Sequence, residues 1–136
     1  MYGLPYILLI DDDADDLEMI SAGLTGTGVR VKTFESPSKA LFYLDLVSGS
    51  NNLPSLIIMD YNMPMKNGYD MLLLLKNNPD TAGIPVVIFS TTVRPRLEEK
   101  MLNAGAAGCC TKWSNARELT LQLKAFQKLF LGLQVS

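Results

Sequence analysis

Apolar residues gather in five short runs along the chain, at 6–10, 29–34, 55–60, 86–90 and 107–111. The first, third and fourth hold nearly unbroken aliphatic stretches, Ile7-Leu8-Leu9-Ile10, Leu56-Ile57-Ile58-Met59 and Val86-Val87-Ile88-Phe89, the pattern of strands buried on both faces. Between the runs, apolar positions recur at helical spacing and end signals flank them. Asp13 can cap a helix that runs to about residue 25, with Gly26 and Gly28 beyond it, and Ser36 followed by Pro37 is a cap with proline at the first helical position. Asn67 and Gly68 precede a third helix that stops before Asn78-Pro79, and a fourth over about 95–104 is closed by Gly105. Ser114 or Asn115 can cap the last, where Leu119, Leu123, Phe126, Leu129 and Phe130 share a helical face. The leucine row 72–75 and the methionines read as core.

Five strands alternating with five helices predict an α/β fold whose parallel sheet is covered on both faces. Of the doubly wound orders, five strands suit the flavodoxin-like 2-1-3-4-5, which brings the ends of strands one and three together at a switch point. The polar residues that follow the runs then become the candidates. Asp11, Asp12 and Asp13 stand directly behind the first run, Asp60 ends the third, Ser90 ends the fourth, and Lys112 follows Thr111 at the end of the fifth. Crowded carboxylates raise one another's pKa, and a hard divalent cation removes that penalty. For Asp13 the alternative is a helix cap. A carboxylate nucleophile, a cation held by other carboxylates, a hydroxyl and an ammonium are together the parts needed to form an acyl phosphate.

Composition narrows the field. The 136 residues suit one domain, 1–136, and 48% hydrophobic content excludes a disordered chain. Without an apolar stretch of membrane-spanning length, and without a basic n-region ahead of the first run, a cytoplasmic location off the membrane is expected. Net charge is −2, with six of the fourteen acids inside residues 11–18, so the basic surplus elsewhere is too small to predict nucleic-acid binding. The chain has no histidine, which excludes histidine base catalysis and a phosphohistidine of its own. Cys109 and Cys110 are adjacent and would point to opposite faces of a strand, so they form neither an ordinary disulfide nor, without histidine, a usual zinc site. A cysteine redox sensor would need a low thiol pKa, and Lys112 is the one cation near enough in sequence to supply it.

Asp11-Asp12, Asp60, Met63-Pro64 with Gly68, Ser90 and Lys112 occur in an order that resembles the receiver domain of two-component response regulators, from Ile7 to the last helix. The resemblance implies that Asp60 accepts phosphate from a phosphohistidine on a histidine kinase or histidine phosphotransfer protein. It implies Mg2+ held by Asp12 directly, by Asp11 mainly through water, by Asp60 and by the Asn62 backbone carbonyl, with Ser90 and Lys112 on the phosphoryl oxygens. Thr91 and Thr92, with Asn62, would lie at the pocket mouth and gate attacking water. Two positions depart from the family. Cys109 stands where receivers usually carry a switching tyrosine or phenylalanine, and Trp113 stands where a proline usually follows the lysine. With nothing beyond the final helix, a stand-alone module is expected, monomeric or dimerising on phosphorylation. Its output would pass through the face made by the fourth helix, fifth strand and fifth helix.

Two other readings compete. In a haloacid-dehalogenase-like phosphatase Asp11 would be the nucleophile and Asp13 the acid, but that family expects threonine or valine where Asp15 stands and further acids after the lysine, where Glu118 alone follows. A phosphorylation-independent interaction module would be marked by loss of a pocket residue, and none is lost.

Overall fold

A computed structural model describes residues 4–135. Ten elements alternate: β1 (Ile7–Ile10), α1 (Ala14–Thr25), β2 (Val31–Phe34), α2 (Pro37–Val47), β3 (Leu56–Asp60), α3 (Gly68–Lys76), β4 (Val86–Ser90), α4 (Pro95–Asn103), β5 (Gly108–Thr111) and α5 (Ala116–Val135). All strand pairs are parallel and the order is β2-β1-β3-β4-β5, as the pattern predicts. The caps fall where the polar residues announce them. Asp13, Ser36 and Asn67 each accept backbone N–H bonds from the first turn they precede. For α5 the choice falls on Asn115, whose Oδ1 accepts from the Glu118 N–H at 2.9 Å.

Strand alternation divides the core into two layers. Leu8, Ile10, Ile57, Met59 and Ile88 face α2, α3 and α4 through Ala40, Leu44, Met71, Leu72, Leu75 and Met101. Ile7, Leu9, Ile58 and Phe89 face α1 and α5 through Leu17, Ile20, Leu24, Phe126 and Phe130. Each such fully buried aliphatic side chain contributes roughly 1.5–3 kcal/mol relative to exposure, so the three central strands carry much of the stability. Cys109 packs against the first layer and Cys110 against the second, so the adjacent thiols do point apart.

Not all the apolar residues read as core are inside. Leu74, Met19 and Met65 are exposed, as is Leu129 on α5. A helix turns about 100° per residue, so four consecutive leucines cannot share one face; α3 buries Leu72 and Leu75 and gives Leu74 to solvent. Leu129 likewise lies beside the stripe that Phe126 and Phe130 occupy. Met65 sits at the tip of the β3–α3 loop in a γ-turn, closed by a 2.8 Å bond from the Lys66 N–H to the Pro64 carbonyl, with φ at 69°. That turn aims its side chain outward.

Candidate functional site

Strand register alone brings the acids together. Ile10 pairs with Met59, so Asp11, one step beyond β1, lies beside Asp60, the last residue of β3. Asp60 in turn pairs with Phe89, and Ser90 with Thr111, so the hydroxyl and Lys112 enter from the next two strands. The Lys112 N–H donates to the Ser90 carbonyl at 2.7 Å, which fixes the start of the lysine's loop against β4. Asp11, Asp60 and Ser90 are buried. Asp12 is exposed, yet it offers a carboxylate oxygen within 4.8 Å of one on Asp11 and one on Asp60.

One ammonium compensates this negative charge. Lys112 Nζ lies 3.3 Å from Asp11 Oδ2, 3.2 Å from Asp60 Oδ2 and 2.9 Å from Asp16 Oδ2, with its side chain only 10% exposed. The ammonium also stands 5.0 Å from the centre of the Phe89 ring, within cation–π range. Burial pushes the Asp11 carboxyl up to about 7; the Asp13 N–H and the Lys112 charge oppose that rise without cancelling it. Asp60 is raised for the same first reason, against the pull of Lys112. Burial tends to lower Lys112, but its hydrogen bond to Asp16 and the charges of Asp11 and Asp60 outweigh that and hold it above the usual lysine range. Two buried carboxylates that resist ionisation, beside a third that is open to water, form an all-oxygen set suited to a hard divalent ion.

The hydroxyl and the loop after β3 complete the pocket. Asn62 Nδ2 donates to Ser90 Oγ at 3.1 Å, and the Asn62 N–H donates to Asp60 Oδ1 at 3.2 Å, so one residue bridges two strand ends. The loop must fold back closely for this. Gly68 lets it: its N–H donates to the Tyr61 carbonyl at 2.8 Å, and a Cβ there would lie 2.9 Å from Tyr61 Cα and 3.3 Å from the Asp60 carbonyl oxygen.

Of the residues singled out from sequence, the structure gathers Asp11, Asp12, Asp60, Asn62, Ser90 and Lys112. Thr91 and Thr92 follow Ser90 in an exposed loop. Cys109 is half-buried in β5 and Trp113 packs its ring partly against the α1/α5 layer. The peptide between Lys112 and Trp113 is trans, as are all those described. Burial, then neighbouring Glu98, pushes the Cys109 thiol up, and burial pushes Cys110 to about 11, which removes the ground for a reactive-cysteine sensor. Asp13 accepts from the N–H groups of Asp15 and Asp16 as a helix cap, so the acid required by a phosphatase reading is engaged elsewhere. Asp16 was not among the sequence candidates, although it makes the shortest of the three Lys112 contacts. The one signal for it in the sequence is its place in the acidic run that begins at Asp11.

Acids meeting at the β1/β3 switch point, above a five-stranded parallel sheet, put the chain in the class of doubly wound proteins that take their ligand at that crevice. Comparison with known proteins is more specific. A family model for the response regulator receiver domain matches residues 7–124, and the chain belongs to that family. It is 38% identical over 102 residues to the two-component response regulator ORR12 of Oryza sativa subsp. japonica, covering 75% of this chain and 81% of the relative. Among solved structures it is similar to the phosphorylated cyanobacterial phytochrome response regulator RcpA, at 27% identity and a TM-score of 0.82 over 95% of each chain. A response regulator from Desulfuromonas acetoxidans matches at 28% identity and a TM-score of 0.72, over 93% of this chain and 98% of the other. The protein is therefore a receiver of two-component signalling, a signalling module and not an enzyme of the ordinary kind. Receivers bind Mg2+ at an acidic pocket and work with histidine kinases or phosphotransfer proteins, and Asp11, Asp12 and Asp60 form such a pocket here. None of the described helices is long and apolar enough to cross a membrane.

Proposed function

We propose that Asp60 is the phosphoryl acceptor. The observation that carries this reading is the position of its buried carboxylate, at the end of β3 between the Lys112 ammonium and the two acids that follow β1. A carboxylate oxygen of Asp60 attacks phosphorus, the phosphorus–nitrogen bond of a partner's phosphohistidine breaks, and the imidazole nitrogen keeps the electron pair and takes up a proton. The product is an acyl phosphate. Asp11, Asp12, Asp60 and the Asn62 backbone carbonyl would hold Mg2+, which supplies charge neutralisation for the incoming phosphoryl group.

The remaining roles belong to the chain's own groups. Lys112 pairs with Asp60 before transfer and turns to a phosphoryl oxygen after it. Ser90 accepts from Asn62 Nδ2, so its own hydroxyl proton is available for a phosphoryl oxygen. Water attack on phosphorus later regenerates the Asp60 carboxylate, with Asn62, Thr91 and Thr92 gating its approach at the pocket mouth. With Cys109 in place of a ring and Trp113 after the lysine, the movement of Ser90 passes to the α4–β5–α5 face without an aromatic swing in β5. Leu102 on α4 and Leu121 on α5 are exposed and supply apolar surface for a protein target. The phosphorylated state of RcpA supports the reading by similarity.

Incubation with a small acyl phosphate and Mg2+ tests it. The wild-type protein is expected to gain the mass of one phosphoryl group and Asp60→Asn none. An adduct that persists in Asp60→Asn moves the acceptor elsewhere, and no adduct on the wild type favours a phosphorylation-independent module.

A further inference from the structure

Asp16 makes the shortest carboxylate contact to Lys112, yet it stands outside the group of acids that can share a metal ion. Its availability has a local cause. Asp16 is the third residue of α1, the position from which an acid ordinarily reaches back to the backbone N–H of the cap. Here the Asp13 N–H is already taken by Asp11 Oδ1 at 3.0 Å, while Asp13 Oδ1 accepts from the Asp15 and Asp16 N–H groups at 3.0 and 3.1 Å. The backbone of Asp16 is thus pinned and its carboxylate released. It is directed at an ammonium 96 residues away in sequence.

We propose that Asp16 is a positioning residue for Lys112, giving the ammonium a resting place beside the pocket when a divalent ion takes over Asp11 and Asp60. The inference rests on the receiver reading. Lys112 donates to three carboxylates, and a dication among Asp11, Asp12 and Asp60 repels the ammonium and competes for two of those three. The third contact is the one such an ion leaves alone. With Asp16 present, Lys112 moves off Asp11 without giving up every charge-assisted hydrogen bond, and it stays within reach of the phosphoryl group. Without Asp16, the ammonium keeps Asp11 and Asp60 as its carboxylate partners and stays in the pocket against the incoming ion, which weakens cation binding.

Asp15 provides the control. It carries the same charge one residue away, in the same first turn and exposed, with no contact to Lys112 among the described residues. Mg2+ is titrated into wild type, Asp16→Asn, Asp16→Glu and Asp15→Asn, with Trp113 fluorescence as the readout because that indole follows Lys112 directly. Asp16→Asn is expected to raise the Mg2+ dissociation constant about ten-fold, the lower end for a residue acting through a neighbour of the ligands. Asp16→Glu recovers most of that loss, and Asp15→Asn shifts it no more than about two-fold, as expected for a screened surface charge. The same samples are phosphorylated with the small acyl phosphate and their intact masses followed. Equal shifts for Asp16→Asn and Asp15→Asn, or no shift for Asp16→Asn, overturn the positioning role even when the wild type takes up phosphate normally. A wild type that neither responds to Mg2+ nor gains phosphate overturns the receiver reading, and the positioning role with it.

Discussion

Helices α1 and α3 begin with the same local grammar and use it differently. Each has a polar cap followed three residues later by an aspartate, Asp13 with Asp16 and Asn67 with Asp70. At α3 the box closes on itself: Asn67 Oδ1 accepts from the Asp70 N–H at 2.9 Å and Asp70 Oδ2 accepts from the Asn67 N–H at 3.3 Å. At α1 only the first half survives. Asp11 takes the cap N–H and Lys112 takes the acid, so both broken pieces of the box are spent on the acidic pocket. Local propensity is enough to explain α3, whereas α1 follows local rules until a buried ammonium competes for one of its side chains. Departures of this kind are expected where a site is built.

The comparison breaks most severely at the lysine. Lys112→Ala leaves Asp11 and Asp60 buried without a cation and is expected to cost about 3 kcal/mol of stability, the scale of a buried ion pair that has lost one partner. The urea midpoint in metal-free buffer measures it, and Mg2+ restores part of the loss. The box at α3 contains no such charge, and removing Lys112 leaves it unchanged.

A pH dependence separates the two helix starts next. The Asp11 carboxyl is raised in the folded state to about 7, against about 3.9 in an unfolded chain. Between those values the folded protein keeps a proton that the unfolded chain releases, so this contribution is fully present below about 4 and is lost as pH rises through about 7. Asp60 is shifted in the same direction and adds to it. In metal-free buffer the wild type is expected to lose stability relative to Asp11→Asn across that window, read from paired urea midpoints at either end. Saturating Mg2+ flattens the difference by favouring the ionised carboxylates.

The caps give a smaller and sharper contrast. Asn67→Ala and Asp13→Ala each remove a side-chain acceptor from a helix start and are each expected to cost about 1 kcal/mol in thermal or chemical unfolding. Asn67→Ala leaves the Mg2+ titration of Trp113 fluorescence where it was. Asp13→Ala weakens it, because Asp13 pins the turn that carries Asp16. Equal effects of both variants on Mg2+ affinity would remove the distinction between the two boxes.

Much of this was legible in the sequence because it is encoded locally. Uninterrupted aliphatic runs give β1, β3 and β4, and Asp13, Ser36 and Asn67 mark their helices within a residue. The gathering of Asp11, Asp60, Ser90 and Lys112 follows once the strand order is assumed, since each is the residue at or just beyond a strand end. What was hidden depends on distances that sequence spacing does not carry. Nothing in the spacing of Asp16 points to Lys112, 96 residues away, and its carboxylate is free for that contact because the Asp13 N–H is engaged by Asp11. Leu74 reads as core because its neighbours are core, and only the helical phase against the sheet turns it outward. Met65 is exposed for another reason, a left-handed residue in a tight loop whose geometry the following lysine and glycine close.

Asp60 is the proposed acceptor, and the most direct measurement locates the phosphoryl group itself. Wild-type protein phosphorylated by a small acyl phosphate in Mg2+ is quenched, and the carboxyl phosphate is trapped by reduction or with hydroxylamine before peptide mass analysis. The trapped label is expected on Asp60 alone, absent from Asp60→Asn and from samples with the metal chelated. A label on Asp11 or Asp12, or one that forms equally well without divalent cation, would contradict the account.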